Sequence, residues 1–299
     1  MLHIRLSIEL RGRVLGMSIQ QMLLGLGGVS IDASGGTKST APNGDTVHTF
    51  LRSSGASQNF VVNSGSFDIQ LLMVGGGAGG ASGRGGGGGG AGGLIYFGPE
   101  SPNQGSGIPV TPGTYPLTIG AGGADDTDGG DTTGFSRTAL GGGTGRIPAG
   151  TANPGGSGGA GRHNESITAG TGEQPTHPSG GYGNPGGPAS PGTNTGAGGG
   201  GAGGAGGPTA GNNGYGGPGM TLSISGSPQA YAGGGGGGAT EPGAEGPGGS
   251  GVGGAGAPGP DPQGGNAVAN TGSGGGGGGN NAGNGGTGSD GIIIVRYSG

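Results

Sequence analysis

Residues Phe67 to Gly80 read FDIQLLMVGGGAGG, and Gly285 to Tyr297 read GGTGSDGIIIVRY. In the first stretch Phe67, Ile69 and Leu71 alternate with Asp68 and Gln70, the period of a half-buried strand, and the chain then runs straight into glycine. In the second, the β-branched run Ile292 to Val295 emerges from glycine just as abruptly. Residues 75–291 lie between the two strands, and about two-fifths of them are glycine. The economical reading is that one small sheet, a β frame, holds both ends of a glycine-rich block.

Upstream of this frame, Thr46 to Leu51 (TVHTFL) and Gln58 to Val62 (QNFVV) add β-branched and aromatic strand candidates, and Asn43-Gly44 is a turn signal. The frame is thus expected over 46–74, with 292–299 as its closing strand. His48 reads as a solvent-facing residue of the first strand. Residues 29–45 are rich in Ser, Thr and Gly and read as a linker. Before it, Ile19, Met22, Leu23 and Leu26 fall at i, i+3, i+4 and i+7, one face of a short helix too brief to be stable alone. That face is a candidate docking or assembly peg within an N-terminal attachment segment, 1–28. Met17 reads as the true start, with the first 16 residues an upstream extension of the reading frame. Glu9 and Gln20-Gln21 interrupt any signal-like pattern.

Composition excludes several classes. Of 299 residues 97 are Gly, 8% are charged, and Cys and Trp are absent. Interior glycine opposes long helices. No apolar run reaches a membrane span, so no membrane insertion is expected. Without Cys there is neither a disulfide scaffold nor a thiolate zinc site. With 10 Lys+Arg against 15 Asp+Glu and no basic cluster, nucleic acid is not an expected partner.

The block is not a plain linker. Glycine runs at 85–90, 233–238 and 274–279 are interleaved with short apolar segments: Leu94–Phe97, Tyr115–Ile119, Phe135–Leu140, Met220–Ile224 and Gln229–Ala232. Such runs break the Gly-X-Y register of collagen. Composition by itself favours disorder. The ordered alternative is a packed array of extended, polyproline-II-like glycine helices (polyglycine II). Without Cβ atoms their backbones approach closely and bond sideways, which satisfies the demand that buried N–H and C=O groups be paired.

The pieces TVHTF (46–50), LLMVGGGAGG (71–80), GGAGGLIYF (89–97), VTPGTYPLTIGAGG (110–123), DGGDTTGFS (128–136), YAGGGGGG (231–238) and DGIIIVRY (290–297) occur here in order. Taken together they resemble the glycine-rich domains of bacteriophage tail fibres and receptor-binding virion proteins, over about 46–299. A similar module occurs in the extracellular part of certain animal receptor kinases. The resemblance implies an ordered, mainly β and irregular body, in some members a polyglycine-II sandwich presenting variable loops to a host surface.

Chemical motifs mostly fail on inspection. SGGTKST (34–40) places Thr37, not Gly, before Lys38 and is no phosphate loop. Gly75-x-Gly77-x-x-Gly80 follows a strand as a dinucleotide fingerprint does, but more glycine follows where a helix is required. Asp125, Asp126, Asp128 and Asp131 have spacing compatible with Ca²⁺ but lack the later bidentate Glu, so a solvated turn is the reading. His163, Glu165, Glu173 and His177 sit in the Pro/Gly/Asn-rich stretch 145–191 with no spacing to preorganise them for catalysis, and Asn164-Glu165-Ser166 is a sequon without secretory context. Neither catalytic residues nor a metal or other cofactor are expected.

Taken with the resemblance, the expected function is mechanical and adhesive. The chain reads as a non-enzymatic tail-fibre or adhesin component on the surface of a virion. Its N-terminus would contact other virion proteins and its copies would associate as a homo-oligomer. Its loops, with Arg146, Arg162, His163, His177 and Tyr182 as candidates, would contact a host glycan or outer-membrane protein. The alternatives are a particle-building or filament-forming protein without a receptor role, such as a head decoration or sheath, and a disordered linker.

Overall fold

The computed structural model describes residues 6–10, 13–17, 31–145, 151–163, 166–209, 214–259, 263–280 and 283–298. Strands β1 (Leu6–Leu10) and β2 (Arg13–Met17) form an antiparallel hairpin across the segment read as an extension, ending on Met17, read as the true start. The helix expected around Ile19, Met22, Leu23 and Leu26 lies outside the described residues.

The next strands are β3 (Asp32–Ser34), β4 (Thr37–Thr40), β5 (Thr46–Leu51), β6 (Ser57–Ser64), β7 (Phe67–Val74), β8 (Leu94–Phe97) and β9 (Ile108–Val110). They are followed by β10 (Gly113–Thr118), β11 (Thr132–Gly134), β12 (Arg137–Ala139), β13 (Met220–Leu222), β14 (Gln229–Tyr231) and β15 (Ile292–Tyr297). The expected frame is present but is not one small sheet. One antiparallel sheet runs β4-β5-β15-β7-β8, with β9 also on β7, and a second runs β12-β11-β10-β6-β3. The closing strand β15 sits between β5 and β7, with Val295 opposite His48 on one side and Leu71 on the other.

The central strands of the first sheet, β7, β8 and β15, are buried on both faces, whereas edge strand β4 is exposed. Phe50, Ile69, Leu71, Met73, Ile95, Ile293 and Val295 meet Phe60, Val62, Leu117 and Ala139 of the second sheet. Val47, Leu72, Val74, Leu94, Tyr96, Ile292 and Ile294 face the β13–β14 hairpin through Met220, Leu222, Ile224 and Tyr231. This double coverage is why β7 stops alternating after Gln70 and β15 never alternates: a strand buried on both faces reads as a continuous apolar run.

The stretch read as a linker, 29–45, contains β3 and β4, one on each sheet. The chain crosses between sheets at Gly35 and Gly36, whose φ angles are 111° and 58°. An added Cβ at Gly35 would lie 2.1 Å from the Asn59 carbonyl oxygen, so no side chain fits the crossing. His48, expected in solvent, is fully buried between the sheets. Its Nδ1 lies 2.7 Å from the Gly35 carbonyl oxygen and its Nε2 3.2 Å from the Tyr297 hydroxyl. The carbonyl requires a proton on Nδ1, so Nε2 accepts from Tyr297. The outward alternation expected of β5 fails because sheet packing covers that face as well.

Between the strands β8 to β14, the described glycine-rich segments of 75–291 leave one end of the sandwich in extended form and bond to segments remote in sequence. Their hydrogen bonds have a three-residue period. The amides of Gly75, Ala78 and Ala81 donate to Gly93, Gly90 and Gly87; those of Gly76 and Gly79 donate to Gly130 and Thr127; those of Gly77, Gly80 and Gly83 donate to Ser289, Gly286 and Gly283. Segment 86–93 lies deepest. Six segments bond to it: 75–81, 140–143, 157–160, 197–200, 235–238 and 272–278. Glycine is obligatory there because the neighbours are backbones; a Cβ on Gly88 would lie 2.1 Å from the Gly235 carbonyl oxygen.

Side chains enter the array mainly to complete its hydrogen bonds. Asp131, Asp128 and Asp290 accept from the backbone amides of Gly141, Thr144 and Gly122. Buried Gln174 accepts from the Leu140 amide and donates to the carbonyls of Thr138 and Gly180.

Candidate functional site

The segments turn back at the end remote from the sandwich, where several turns are tied together. Ser82 bonds Asp125 and Asp126, Gly83 donates to Gly283, and Arg162 Nε donates to the Arg84 carbonyl. The His163 amide donates to Gly85, and the Thr240 amide to Asn194. Arg162 and His163 therefore belong to this remote face. Tyr182 does not. It forms a bridge with Leu94 at the sandwich end and packs against the core there. His177 also lies at that end: its Nδ1 accepts from the Ser179 amide, and the Ser179 hydroxyl accepts from the Thr138 amide of β12. Arg146 lies outside the described residues. The described candidates expected to form one host-contact loop are thus split between opposite ends of the body, because the described residues of 151–191 form several extended segments crossing the array rather than a single loop.

The acidic cluster is likewise dispersed. Asp125 and Asp126 hold Ser82, Asp128 holds Thr144 and Asn153, and Asp131 holds Gly141. These carboxylates accept structural hydrogen bonds rather than converge on a cation. Among the described residues no group of three His, Asp or Glu is placed to hold a metal ion. After Gly80 the chain enters the turn at 82–85 and then a further extended segment rather than a helix, so no helix N-terminus is available there for a pyrophosphate.

A further concavity lies on the sandwich, where the sequence suggested no site. It is an open groove of about 780 Å³ lined by Ile108, Pro109, Tyr115, Phe135, Ser136 and Arg137, among others. Tyr115 and Phe135 stack with ring centroids 5.3 Å apart and planes 26° apart, and both rings rest on buried Phe60. The Tyr115 hydroxyl is held by the amide and carbonyl of Thr111, each at 2.9 Å. Phe135 and Ser136 form the β11–β12 turn with φ of 51° and 57°. Two positive-φ residues suit a tight hairpin, but Asn-Gly usually occupies them, and Phe there is strained. The Arg137 guanidinium lies 4.3 Å above the Phe97 ring, with its Nε buried and without a hydrogen-bond partner. The sequence signal missed was GFSR between two short strands, where the turn lacks its usual glycine-containing pair.

A double-layered β sandwich bearing an array of backbone-bonded glycine segments defines a class of protein whose body is built from main chain rather than side chains. A family model described as a glycine-rich domain matches residues 51–298, and the chain belongs to that family. No curated protein matches the sequence.

Proposed function

We propose that the chain is a non-enzymatic structural protein of a bacteriophage particle, a tail-fibre or adhesin component displayed on the virion surface. In this reading it joins the particle and other virion proteins through its N-terminal segment and presents loops to a glycan or outer-membrane protein of the host. The observation that carries the proposal is the separation of ends. The sandwich secures the chain termini of the glycine block, and turns at 82–85, 124–127, 162–163, 190–194 and 240–243 gather at the remote face. We read the block between them as polyglycine II, on the three-residue bonding period and the six neighbours around 86–93. A body of this kind is stiff, because each turn of each segment is cross-bonded. Turns at its far end can therefore diversify without loss of core packing, and several copies on one particle would raise weak host contacts to useful avidity.

The test is immunogold labelling of purified particles of the encoding phage, with antibody raised against the full chain. Gold on fibres is the expected result. Gold confined to the head or spread along a sheath would assign the chain to particle building without a receptor role, and unlabelled particles would remove it from the virion.

A further inference from the structure

We infer that the groove between β9 and the β11–β12 turn binds an acidic glycan, with a pyranose ring laid on the Tyr115–Phe135 wall and a uronate carboxylate on Arg137. Three observations converge. The wall is prepared in advance: Tyr115 is fixed by two hydrogen bonds through its hydroxyl and Phe135 by stacking on Tyr115 and Phe60. Flat, half-exposed aromatic surface of this kind offers a hydrophobic platform with little ordering cost. Phe135 is held in a left-handed conformation that a bulky side chain adopts only under constraint, and such strain concentrates at ligand clamps. Finally, Arg137 brings a cation to the groove without a counter-charge. Among the described residues the ion pairs join Arg52 to Asp290 and Arg296 to Asp45, and none involves Arg137. Its stacking on Phe97 and its unbonded, enclosed Nε leave the guanidinium short of compensation, and a carboxylate matches its planar fork.

The ligand chemistry follows from the pairing of these elements. A ring with an apolar face suits the wall, and an anion suits the arginine. The chain's net charge of −5 opposes acidic polymers at long range. At physiological ionic strength that field is screened beyond about 8 Å, while the contact at Arg137 is not. The site stands apart from the virion reading, since particle labelling and glycan binding succeed or fail separately.

The experiment is isothermal titration calorimetry of the full chain at physiological salt with hexagalacturonate, and with maltohexaose as the uncharged comparison. Hexagalacturonate is expected to bind saturably and about tenfold or more tighter than maltohexaose, a difference of about 1.4 kcal/mol. Arg137→Gln is expected to abolish that preference, and Phe135→Ala to weaken both sugars. Arg137 is half-exposed, so its variant tests the site even where Phe135→Ala does not fold. No binding by the unaltered chain would overturn the proposal. Equal binding of the two sugars would do so as well, as would an unchanged preference in folded Arg137→Gln.

Discussion

Single glycines in the array carry the role that large apolar residues carry elsewhere. At Gly235 an added Cβ would lie 1.9 Å from the Gly275 carbonyl oxygen, and the Gly235 amide already bonds Gly89. Relieving that clash means parting two segments and losing their bonds. Gly235→Ala is expected to destabilise the fold by about 2–3 kcal/mol in urea denaturation. Gly113→Ala in β10, where the nearest neighbour of an added Cβ is 3.8 Å away, is expected to shift it by no more than about 0.5 kcal/mol. His48 gives a different single-residue prediction. Burial pushes its imidazole below the ordinary value, outweighing the bond to Gly35 that favours the charged ring. The unfolded chain therefore takes up this proton at higher pH than the folded one. The His48 contribution is complete above about pH 6.5, the ordinary value that the unfolded chain keeps, and is lost as pH falls from there toward the lower folded value. Thermal unfolding from pH 8 to 5 is expected to show this decline, with a flatter profile for His48→Asn.

Among the elements, β15 is the keystone, and Arg296 fastens it. Its guanidinium donates to Asp45 at 2.9 Å, to the Ser223 carbonyl at 3.0 Å and to Asn43 at 2.9 Å. Asp45 also accepts from Ser298 and Asn43. The hydrogen bond from Asn43 and the contacts of Arg296 and Ser298 hold its carboxyl below the usual range despite burial. One side chain thus ties the closing strand to the β4–β5 turn and to the segment after β13. Arg296→Ala is expected to cost about 3 kcal/mol, because it leaves a largely buried carboxylate without its cation; chemical denaturation measures the loss. How legible the elements were follows burial. The strands β7, β8 and β15 stand out in sequence because their apolar runs meet glycine, and β5 by its β-branched and aromatic residues. β3 and β4 did not, since Asp32–Ser34 and Thr37–Thr40 carry only small or polar residues and owe their conformation to pairing with β6 and β5. The groove was hidden for a related reason: its wall joins Tyr115 and Phe135 across two strands, and its turn, Phe135-Ser136, has no turn-forming composition.

For the whole molecule, the central question is cooperativity. A glycine segment loses more entropy on ordering than any other, and each net hydrogen bond returns about 1 kcal/mol, so no segment is stable alone. The array persists because sandwich and body share their ends: β7 runs into 75–81, β8 ends 86–93, and β15 closes 283–291. Deleting residues 292–299 is therefore expected to abolish protection throughout 75–291 rather than fray the last segment alone. Amide hydrogen exchange of the full and shortened chains reads this directly. In the full chain, amides of 86–93 should exchange only through global unfolding. Protection that survived the deletion would show that the array folds without its frame.

The residues alone announce the strands that bound the block, β7 and β15, and the glycine runs between them, because strand periodicity and glycine runs are local patterns. They also determine that the block is interrupted rather than uniform, since apolar segments punctuate it. Long-range pairing settles that the frame is two sheets with a further hairpin, that His48 is interior, and that His177 and Tyr182 lie at the opposite end from Arg162 and His163. It alone placed Tyr115, Phe135 and Arg137 around one groove. The reason is physical. Glycine carries no side chain to announce its partner, so the pairing of these segments is set by main-chain hydrogen bonds among residues far apart in the chain, and no local pattern records which segment meets which.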